Sequence, residues 1–232
     1  MKILIVSATP FEIAPLVEWL DEHFESPKTS QYQKGELAID VLYSGVGLPI
    51  TAFTLGTIMA GRQYNLAIQA GIGGAIDPEL SIGTVVEIIS ERFGDLGAET
   101  ADEGFLDLQS LGLLERESGI FSATGQLLNP GARDNPTSLP KCNGISMNRV
   151  TGSTKNVAAL KARYPEAQVE SMEGAAFFYA CLHHNIPFLQ LRAISNRVEA
   201  RDRESWDIGL AVMELNVVAT ALIEAFVGVP EK

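Results

Sequence analysis

The sequence predicts an α/β fold built on a central sheet, and three observations support this prediction. Apolar, β-rich runs alternate along the chain with segments of helical periodicity. Several of these runs are apolar on both faces, as in strands that helices cover on both sides. The length of 232 residues, 46% of them hydrophobic, fits one α/β domain over residues 1–232.

The predicted strands and helices follow one another along most of the chain. Strands are expected at 2–8, 36–45, 66–71, 83–90, 144–152 and 187–195. Helices are expected at 10–24, 49–62, 154–164, 173–185 and 206–227. Residues 94–143 have many Gly and Pro residues and poor periodicity. This section is too long for a simple loop, so we expect it to border the site.

Composition argues against several classes of partner and location. The net charge of −12 leaves no basic surface for nucleic acid and would be repelled by an anionic membrane. Cys142 and Cys181 form no CxxC pair, so neither a disulfide framework nor a thiolate zinc site is expected. The N-terminus, MKILIVSATPFE, is interpreted as a first strand rather than a signal peptide. No run approaches eighteen apolar residues, so we expect a cytoplasmic protein without a membrane span.

Glu12 has two interpretations. In TPFE, Thr9 lies three residues before Glu12 and Pro10 takes the first helical position, which is the pattern of a capping box. A capping box alone would account for this carboxylate. The same position also puts Glu12 at the carboxyl end of the first strand, where a general base would lie.

Two Gly-rich turns, SGVG (44–47) and AGIGG (70–74), follow predicted strands. Turns of this kind bring backbone N–H groups close to a ligand. Neither turn has the Walker A or the GxGxxG pattern. In isolation they are better explained as tight connections from strand to helix.

Two further polar residues interrupt apolar segments. Glu173 opens the apolar helix of VESMEGAAFFYA, where the helix dipole favours a carboxylate. A buried acid without a cation partner is costly, so a ligand with hydroxyl groups would also explain it. Asn196 follows Ser195 at the end of the apolar strand 187–195, at the edge where open α/β sheets bind ligands.

Metal-dependent and acyl-enzyme chemistry find little support in the sequence. The three histidines form no HExxH pattern, and no serine lies in a GxSxG motif. We therefore expect neither a metal nor a cofactor.

Taken in order, Glu12 after the first strand, SGVG, AGIGG…LSIGTVVE, VESMEGAA and PFLQLRAISN resemble the nucleoside phosphorylase/nucleosidase superfamily over nearly the whole chain. The resemblance implies a three-layer α/β/α fold with a mixed twisted sheet, and a homodimer or larger homo-oligomer. Within the superfamily, GDLGAE (94–99) and RAISNRVEARDRESW (192–206) resemble the futalosine hydrolases of the alternative menaquinone pathway. The implied partners are a purine nucleoside and water, and the implied reaction is N-glycosidic hydrolysis of futalosine that releases hypoxanthine.

The resemblance also implies roles for individual residues. Glu12 matches the carboxylate that deprotonates the attacking water, and Arg192 matches an arginine near that water and the ribose. Glu173 matches the acid that holds the ribose hydroxyls, with Met172 packed against the sugar. Asn196 falls where adenine-specific nucleosidases have an aspartate that protonates N7 of the base. Further substrate contacts are expected from Gly71, Gly73, Val150, Thr151 and Ser195.

Two departures from the family pattern bear on the substrate. Ile72 lies where many nucleosidases have a serine that helps to hold water, so another group would have to do so. Asn196 is an amide, with both a donor and an acceptor. Hypoxanthine protonated at N7 has a donor at N7 beside an acceptor at O6, whereas adenine has an amino donor at that edge. The amide therefore favours a hypoxanthine nucleoside.

Three alternatives stay open at this point: a 6-oxopurine nucleoside phosphorylase, a 5′-methylthioadenosine/S-adenosylhomocysteine nucleosidase, and a non-catalytic nucleoside-binding module. The first would need phosphate-binding arginines, and the GDPxR-like N-terminal stretch is absent. Futalosine has a benzoate on its 5′ arm, for which Arg197, Arg201 and Arg203 are candidate partners. These arginines could equally pair with nearby surface acids.

Overall fold

A large mixed sheet is the centre of the computed structural model, which describes residues 1–102, 104–114, 119–132, 137–200 and 202–227. The strands of these ranges are β1 (Lys2–Ser7), β2 (Glu25–Lys28), β3 (Gln31–Lys34), β4 (Leu37–Tyr43), β5 (Leu66–Ala75), β6 (Val85–Glu91), β7 (Gly97–Glu99), β8 (Phe105–Asp107), β9 (Leu127–Leu128), β10 (Lys141–Ser146), β11 (Val169–Ser171) and β12 (Phe188–Arg197). The main sheet has the order β11–β10–β6–β12–β5–β1–β4–β3–β2, with β9 beside β6. Strands β7 and β8 form a separate hairpin.

Strand pairing brings the ends of β1, β5 and β12 side by side. Strand β5 runs parallel to both β1 and β12. It also pairs antiparallel with β11, so β5, β12, β6, β10 and β11 close into a ring at one side of the sheet. Parallel strands end at the same edge, and this edge is where ligands bind in open α/β sheets.

Helices cover both faces of the sheet. They are α1 (Ala14–His23), α2 (Leu48–Gly61), α3 (Thr154–Arg163), α4 (Gly174–His184) and α5 (Ile208–Val227), with a 3-10 turn at Pro10–Ile13 before α1. Strand β1 shows why both layers form, because its apolar residues alternate between two cores. Ile3 and Ile5 pack with α1 and α5, whereas Leu4 and Val6 pack with α2 and α4. The mixed sheet between helical layers confirms the predicted fold class.

The sequence placed one strand wrongly and overlooked others. The strand expected at 144–152 is β10, which begins at Lys141 and ends at Ser146, because Cys142 and Ile145 pack in the core while Asn148 bonds to Asp95 outside it. Strand β5 continues to Ala75, past the expected end at 71. The polar hairpin β2–β3 has no continuous apolar run to reveal it, and the section 94–143 contains short strands β7, β8 and β9.

Glu214 and Glu224 interrupt the apolar residues of helix α5, so its uninterrupted apolar runs are shorter than eighteen residues. The segment Arg203–Val227 is nevertheless long and apolar enough to cross a membrane, by length and composition only. Its residues Ala211, Leu215, Ala219 and Ile223 are buried against the sheet core. Their spacing is that of one helix face, as in the core helix of a globular domain.

Candidate active site

A cavity of about 290 Å³ opens at the carboxyl ends of β1, β5 and β12. This volume is just below the range of about 300–1,000 Å³ that is typical of ligand pockets. The predicted site residues that line it are Glu12, Gly73, Val150, Met172, Glu173, Ser195 and Asn196. A larger depression of about 780 Å³ lies at residues 59–65 and 184–186, before the starts of β5 and β12, and includes none of the predicted site residues.

The Glu12 carboxylate forms the predicted capping box and also lines the cavity. Its Oε2 accepts hydrogen bonds from the Thr9 backbone N–H at 3.0 Å, the Thr9 hydroxyl at 3.1 Å and the Ser7 hydroxyl at 3.2 Å. Its Oε1 accepts one from the Ile72 N–H at 3.2 Å. Because a carboxylate has about four lone-pair sites, Oε1 keeps an acceptor position for a further donor. The capping box thus fixes an acid that borders the cavity.

Asn216 of α5 holds the backbone of the same acid. Its Nδ2 donates to the Glu12 carbonyl at 2.9 Å, and its Oδ1 accepts from the Leu16 N–H at 3.0 Å. The side chain is buried. This contact joins residues 204 positions apart in sequence, so the motif around Glu12 gave no sign of it.

Arg192 and Gly71 lie behind the cavity wall. Arg192 is 1% exposed and donates from one guanidinium nitrogen to Gln69 Oε1 at 2.9 Å. A Cβ added at Gly71 would overlap this guanidinium and come within 3.0 Å of Glu12 Oε1. Glycine at 71 therefore makes room for the close approach of Arg192 and Glu12, although neither Gly71 nor Arg192 is among the lining residues.

Glu173 enters the cavity just before α4. Its Oε1 accepts the Gly47 N–H at 2.9 Å, so the SGVG turn fixes an acid 126 residues later in the chain. Burial raises the pKa of Glu173, and the nearby Glu12 charge raises it further, while Arg192 and the Gly47 N–H oppose this effect. Met172 is half-buried and lines the cavity beside it. Glu12, Arg192 and Glu173 are therefore one electrostatic group.

Ser195 and Asn196 form a hydrogen-bonded pair on the other side. The Ser195 hydroxyl contacts Asn196 Oδ1 at 2.9 Å and the Gly73 carbonyl at 3.2 Å, and Asn196 Nδ2 donates to the Arg197 carbonyl at 2.9 Å. An amide has two N–H donors and an oxygen with two lone pairs. Asn196 therefore retains one donor and one acceptor.

Val150 and Thr151 occupy different places. Val150 lines the cavity, whereas Thr151 is buried behind it and donates its backbone N–H to Glu170 Oε1 at 2.8 Å. Glu170 lines the cavity and is buried, but the sequence reasoning did not single it out. Glu170 is the second residue of VESMEGAA, and a charged residue beside the apolar Val169 was the feature of the sequence that could have indicated it.

The side chains at the cavity mouth are mostly apolar. Phe11 and Val46 are exposed there, and Trp206 and Ile208 are half-buried beside them. The Ile72 side chain also lines the cavity while its N–H contacts Glu12, so the hydroxyl groups nearest to that acid belong to Ser7 and Thr9.

The three candidate arginines for an anionic arm differ. Arg197 is exposed and donates to the Pro78 carbonyl at 3.0 Å. Arg203 is exposed in the short 3-10 turn Arg203–Ser205, three residues before the lining residue Trp206. Arg201 lies outside the described residues. Within the described ranges, no three His, Cys, Asp or Glu side chains group closely enough to hold a metal ion.

Comparisons with known proteins match this architecture. Residues 2–228 match the family model described as the phosphorylase superfamily. A futalosine hydrolase of Streptomyces coelicolor is 37% identical over 181 residues, which cover 76% of this chain and 74% of the relative. A futalosine hydrolase of Acidothermus cellulolyticus is 33% identical over 228 residues, which cover 96% and 90%.

A solved structure has a similar fold. It is a mutant 5′-methylthioadenosine/S-adenosylhomocysteine nucleosidase of Helicobacter pylori with 5′-methylthioadenosine in the active site, and it superimposes with a TM-score of 0.76. The match covers 97% of this chain and 98% of the other at 20% sequence identity. At that identity the likeness concerns the fold.

Proposed function

The chain belongs to the phosphorylase superfamily as an enzyme that hydrolyses N-glycosidic bonds, and we propose that its substrate is futalosine, from which it releases hypoxanthine. The observation that carries this proposal is Asn196, a buried amide that lines the cavity with one donor and one acceptor unused. Futalosine is a nucleoside of hypoxanthine, whose N7/O6 edge needs this combination once N7 is protonated. The similarity to two futalosine hydrolases supports the same substrate.

Glu12 is proposed to act on the attacking water. Cleavage of an N-glycosidic bond develops positive charge on the sugar and negative charge on the departing base. The free acceptor position on Glu12 Oε1 can orient a water and take its proton, while the carboxylate charge stabilises the developing cation. The hydroxyls of Ser7 and Thr9 hold the Glu12 carboxylate in place. They thereby help to position the water through Glu12, since Ile72 has no hydroxyl to hold it.

Glu173, Met172 and Arg192 are proposed to position the ribose. The Glu173 carboxylate is held on one oxygen by Gly47 and can accept ribose hydroxyl donors on the other. Met172 supplies an apolar surface for the sugar. Arg192 lies close to both acids and offsets part of their combined negative charge within the buried site.

The mouth of the cavity is proposed to hold the 5′ arm. Phe11, Val46 and Trp206 offer apolar and aromatic surface for the benzoate ring. The Arg197 side chain already donates to the Pro78 carbonyl. Arg203, which is exposed near Trp206, is therefore the proposed partner of the benzoate carboxylate.

We further propose that a second copy of the chain covers this mouth. Ile50 and Phe53 are 56% and 77% exposed on one face of α2, which begins two residues after the cavity-lining Val46. An apolar patch that continues into a binding cavity is typical of a covered interface. Light scattering should give a dimer or larger species, and Phe53→Lys should lower its mass; a monomeric wild type would contradict the proposal.

We also propose that residues 1–232 form a single domain and that the protein acts in the cytoplasm. Both cysteines, Cys142 and Cys181, are free and buried, as expected where disulfides are not maintained.

Two alternative activities make different demands on the site. A phosphorylase would bring a phosphate anion to the position beside Glu12, where the carboxylate charge repels it. A methylthioadenosine nucleosidase would present the adenine amino group to the Asn196 edge, leaving the amide mismatched. A non-catalytic binding module would bind a nucleoside without releasing free base.

Product analysis tests the proposal. The protein is incubated with futalosine, with and without inorganic phosphate, and hypoxanthine is measured by chromatography. We expect equal hypoxanthine release in both mixtures. A strict phosphate requirement would indicate a phosphorylase, and bound but uncleaved futalosine would indicate a binding module; either result would refute the proposed hydrolysis.

A further inference from the structure

Glu170 is a buried acid in the cavity, and only one of its two carboxylate oxygens accepts a hydrogen bond from the described residues. Its side chain lies in β11, lines the cavity and is 5% exposed. Oε1 accepts the Thr151 N–H at 2.8 Å, but Oε2 is buried and has no hydrogen-bond partner among the described residues. A buried carboxylate oxygen without a donor is costly. The arrangement therefore calls for a donor on the ligand.

The sheet register places Glu170 opposite Asn196 across one glycine. Gly74 of β5 pairs with Glu170 on β11 and with Asn196 on β12. Residues that pair directly share a sheet face, and neighbouring strands lie about 4.8 Å apart. The two Cα atoms are thus separated by about 10 Å, with both side chains lining the same cavity.

Gly74 keeps the space between these side chains open. A Cβ at this position would come within 3.0 Å of Asn196 Nδ2 and within 2.9 Å of a Val198 methyl group. A flat ring can therefore lie over Gly74 with polar partners on both sides.

The chemistry of this pair matches a 6-oxopurine. If Asn196 contacts N7 and O6, the next group around the ring is N1, which carries hydrogen in hypoxanthine and a bare lone pair in adenine. A carboxylate accepts hydrogen bonds and repels lone pairs. We propose that Glu170 is a second specificity-determining residue, which accepts the N1–H of the 6-oxopurine while Asn196 contacts its N7/O6 edge. This inference rests on the proposed hypoxanthine substrate and adds the group that rejects adenine.

Burial of Glu170 is consistent with this role. Burial raises its pKa, with the Asp95 charge acting in the same direction, and the Thr151 contacts lower it. A ligand N–H on Oε2 supplies a second contact that favours the charged form.

A purely structural role, in which Glu170 only holds the Thr151 backbone, makes a different prediction. In Glu170→Gln the amide oxygen can keep the Thr151 bond and turn its NH2 group toward the cavity. That NH2 meets the N1–H of hypoxanthine as donor against donor, but it can donate to N1 of adenine. Base preference should therefore change only if Glu170 contacts the base.

Calorimetric binding of free hypoxanthine, 1-methylhypoxanthine and adenine tests the inference without requiring turnover. Wild type should bind hypoxanthine about 10- to 100-fold more tightly than either of the other bases, as for loss of one charged hydrogen bond. Glu170→Gln should lose a similar factor for hypoxanthine and gain affinity for adenine. Glu224→Gln, an exposed acid on α5, is the matched control and should bind like wild type.

Two results would overturn the inference. One is a folded Glu170→Gln that keeps the wild-type preference for hypoxanthine over adenine. The other is wild type that binds hypoxanthine and 1-methylhypoxanthine equally, which decides the matter even if the variant does not fold. Failure of wild type to release hypoxanthine from futalosine would instead reject the proposed function, while these binding measurements would still report on Glu170.

Discussion

The two ends of the cavity differ in how much of their hydrogen-bonding capacity the protein itself uses. At the end with Glu12 and Glu173, four donors of the protein contact Glu12, the Gly47 N–H contacts one oxygen of Glu173, and Arg192 lies beside both acids. At the end with Asn196 and Glu170, the amide has an unused donor and acceptor, and one carboxylate oxygen has no partner among the described residues.

We infer from this difference that catalysis and selectivity belong to different ends of the cavity. The first end is fixed in advance, as electrostatic catalysis requires of groups that stabilise developing charge. The second end is left incomplete, so a ligand with the wrong donors and acceptors leaves buried polar groups unpaired. We therefore expect Glu12 and its neighbours to cleave the bond, and Asn196 and Glu170 to select the substrate.

Glu12→Gln should have the largest effect. Removing the general base is expected to lower kcat by about 10²–10⁴-fold. Nucleoside binding should remain, because the ribose and base contacts are intact. Single-turnover base release and equilibrium binding measure the two quantities. A variant that loses binding and turnover together would show that Glu12 only holds the local structure, which a melting curve would also detect.

A further buried acid, Glu91, is not among the residues that line the cavity, so its ionisation is expected to affect stability rather than catalysis. It accepts bonds from Ser146 at 3.0 Å and Gln190 at 2.9 Å, and burial raises the pKa of Glu91 to about 7. Between about pH 4.5 and pH 7 the folded state holds a proton that the unfolded state has lost, so stability falls as pH rises through this window. The loss amounts to up to about 3 kcal/mol and levels off above pH 7.

Glu91→Gln should remove this contribution, because its side chain is neutral in both states. Urea unfolding of wild type and variant at pH 5 and pH 8 measures it, with Glu224→Gln as the control. All other titrating groups are shared, so the difference isolates Glu91. Identical pH dependence in the two proteins would show that Glu91 is ionised throughout.

Asn196→Asp should act on the base end alone. An aspartate can accept from the adenine amino group or, when protonated, donate to N7, so the preference should move toward adenine nucleosides. We expect the ratio of kcat/KM for futalosine to that for methylthioadenosine to fall by about 10- to 100-fold. An unchanged ratio would mean that Asn196 does not contact the base.

Ser195→Ala should give the smallest change. It removes the hydroxyl that contacts Asn196 Oδ1 and frees the amide to rotate. The expected loss in kcat/KM for futalosine is about fivefold, as for one neutral hydrogen bond. Ser195→Thr keeps the hydroxyl and should restore activity; equal losses in both variants would point to packing instead.

Much of the fold followed from the sequence because buried strands and amphipathic helices have distinct periods. The run KILIVS predicted β1 from its apolar character alone, and β1 is buried on both faces. The exposed hairpin β2–β3 has no such pattern, and β10 was misplaced because Lys141 and Asn143 interrupt its apolar residues. Local patterns therefore identify strands with a continuous apolar run, and they miss or misplace strands that polar residues interrupt.

The site was only partly visible for a related reason. Glu12, Glu173 and Asn196 stood out because each follows a strand or opens a helix, and all three line one cavity. Glu170 is placed by strand pairing with Gly74, and Asn216 donates to the Glu12 carbonyl; both contacts join residues that are far apart in the chain. Such contacts depend on sheet register and helix packing, which no single segment specifies.

The proposed base selectivity is tested most directly by the ratio of kcat/KM for futalosine to kcat/KM for methylthioadenosine, measured in one mixture with wild-type protein and no phosphate. The two substrates differ in the base edge that Asn196 and Glu170 face and in the 5′ arm, so inosine and adenosine are included as a pair that differs in the base alone. We expect hypoxanthine to be released at least about 100-fold more efficiently than adenine, with the same direction for inosine over adenosine. Comparable release of adenine from methylthioadenosine would contradict this expectation.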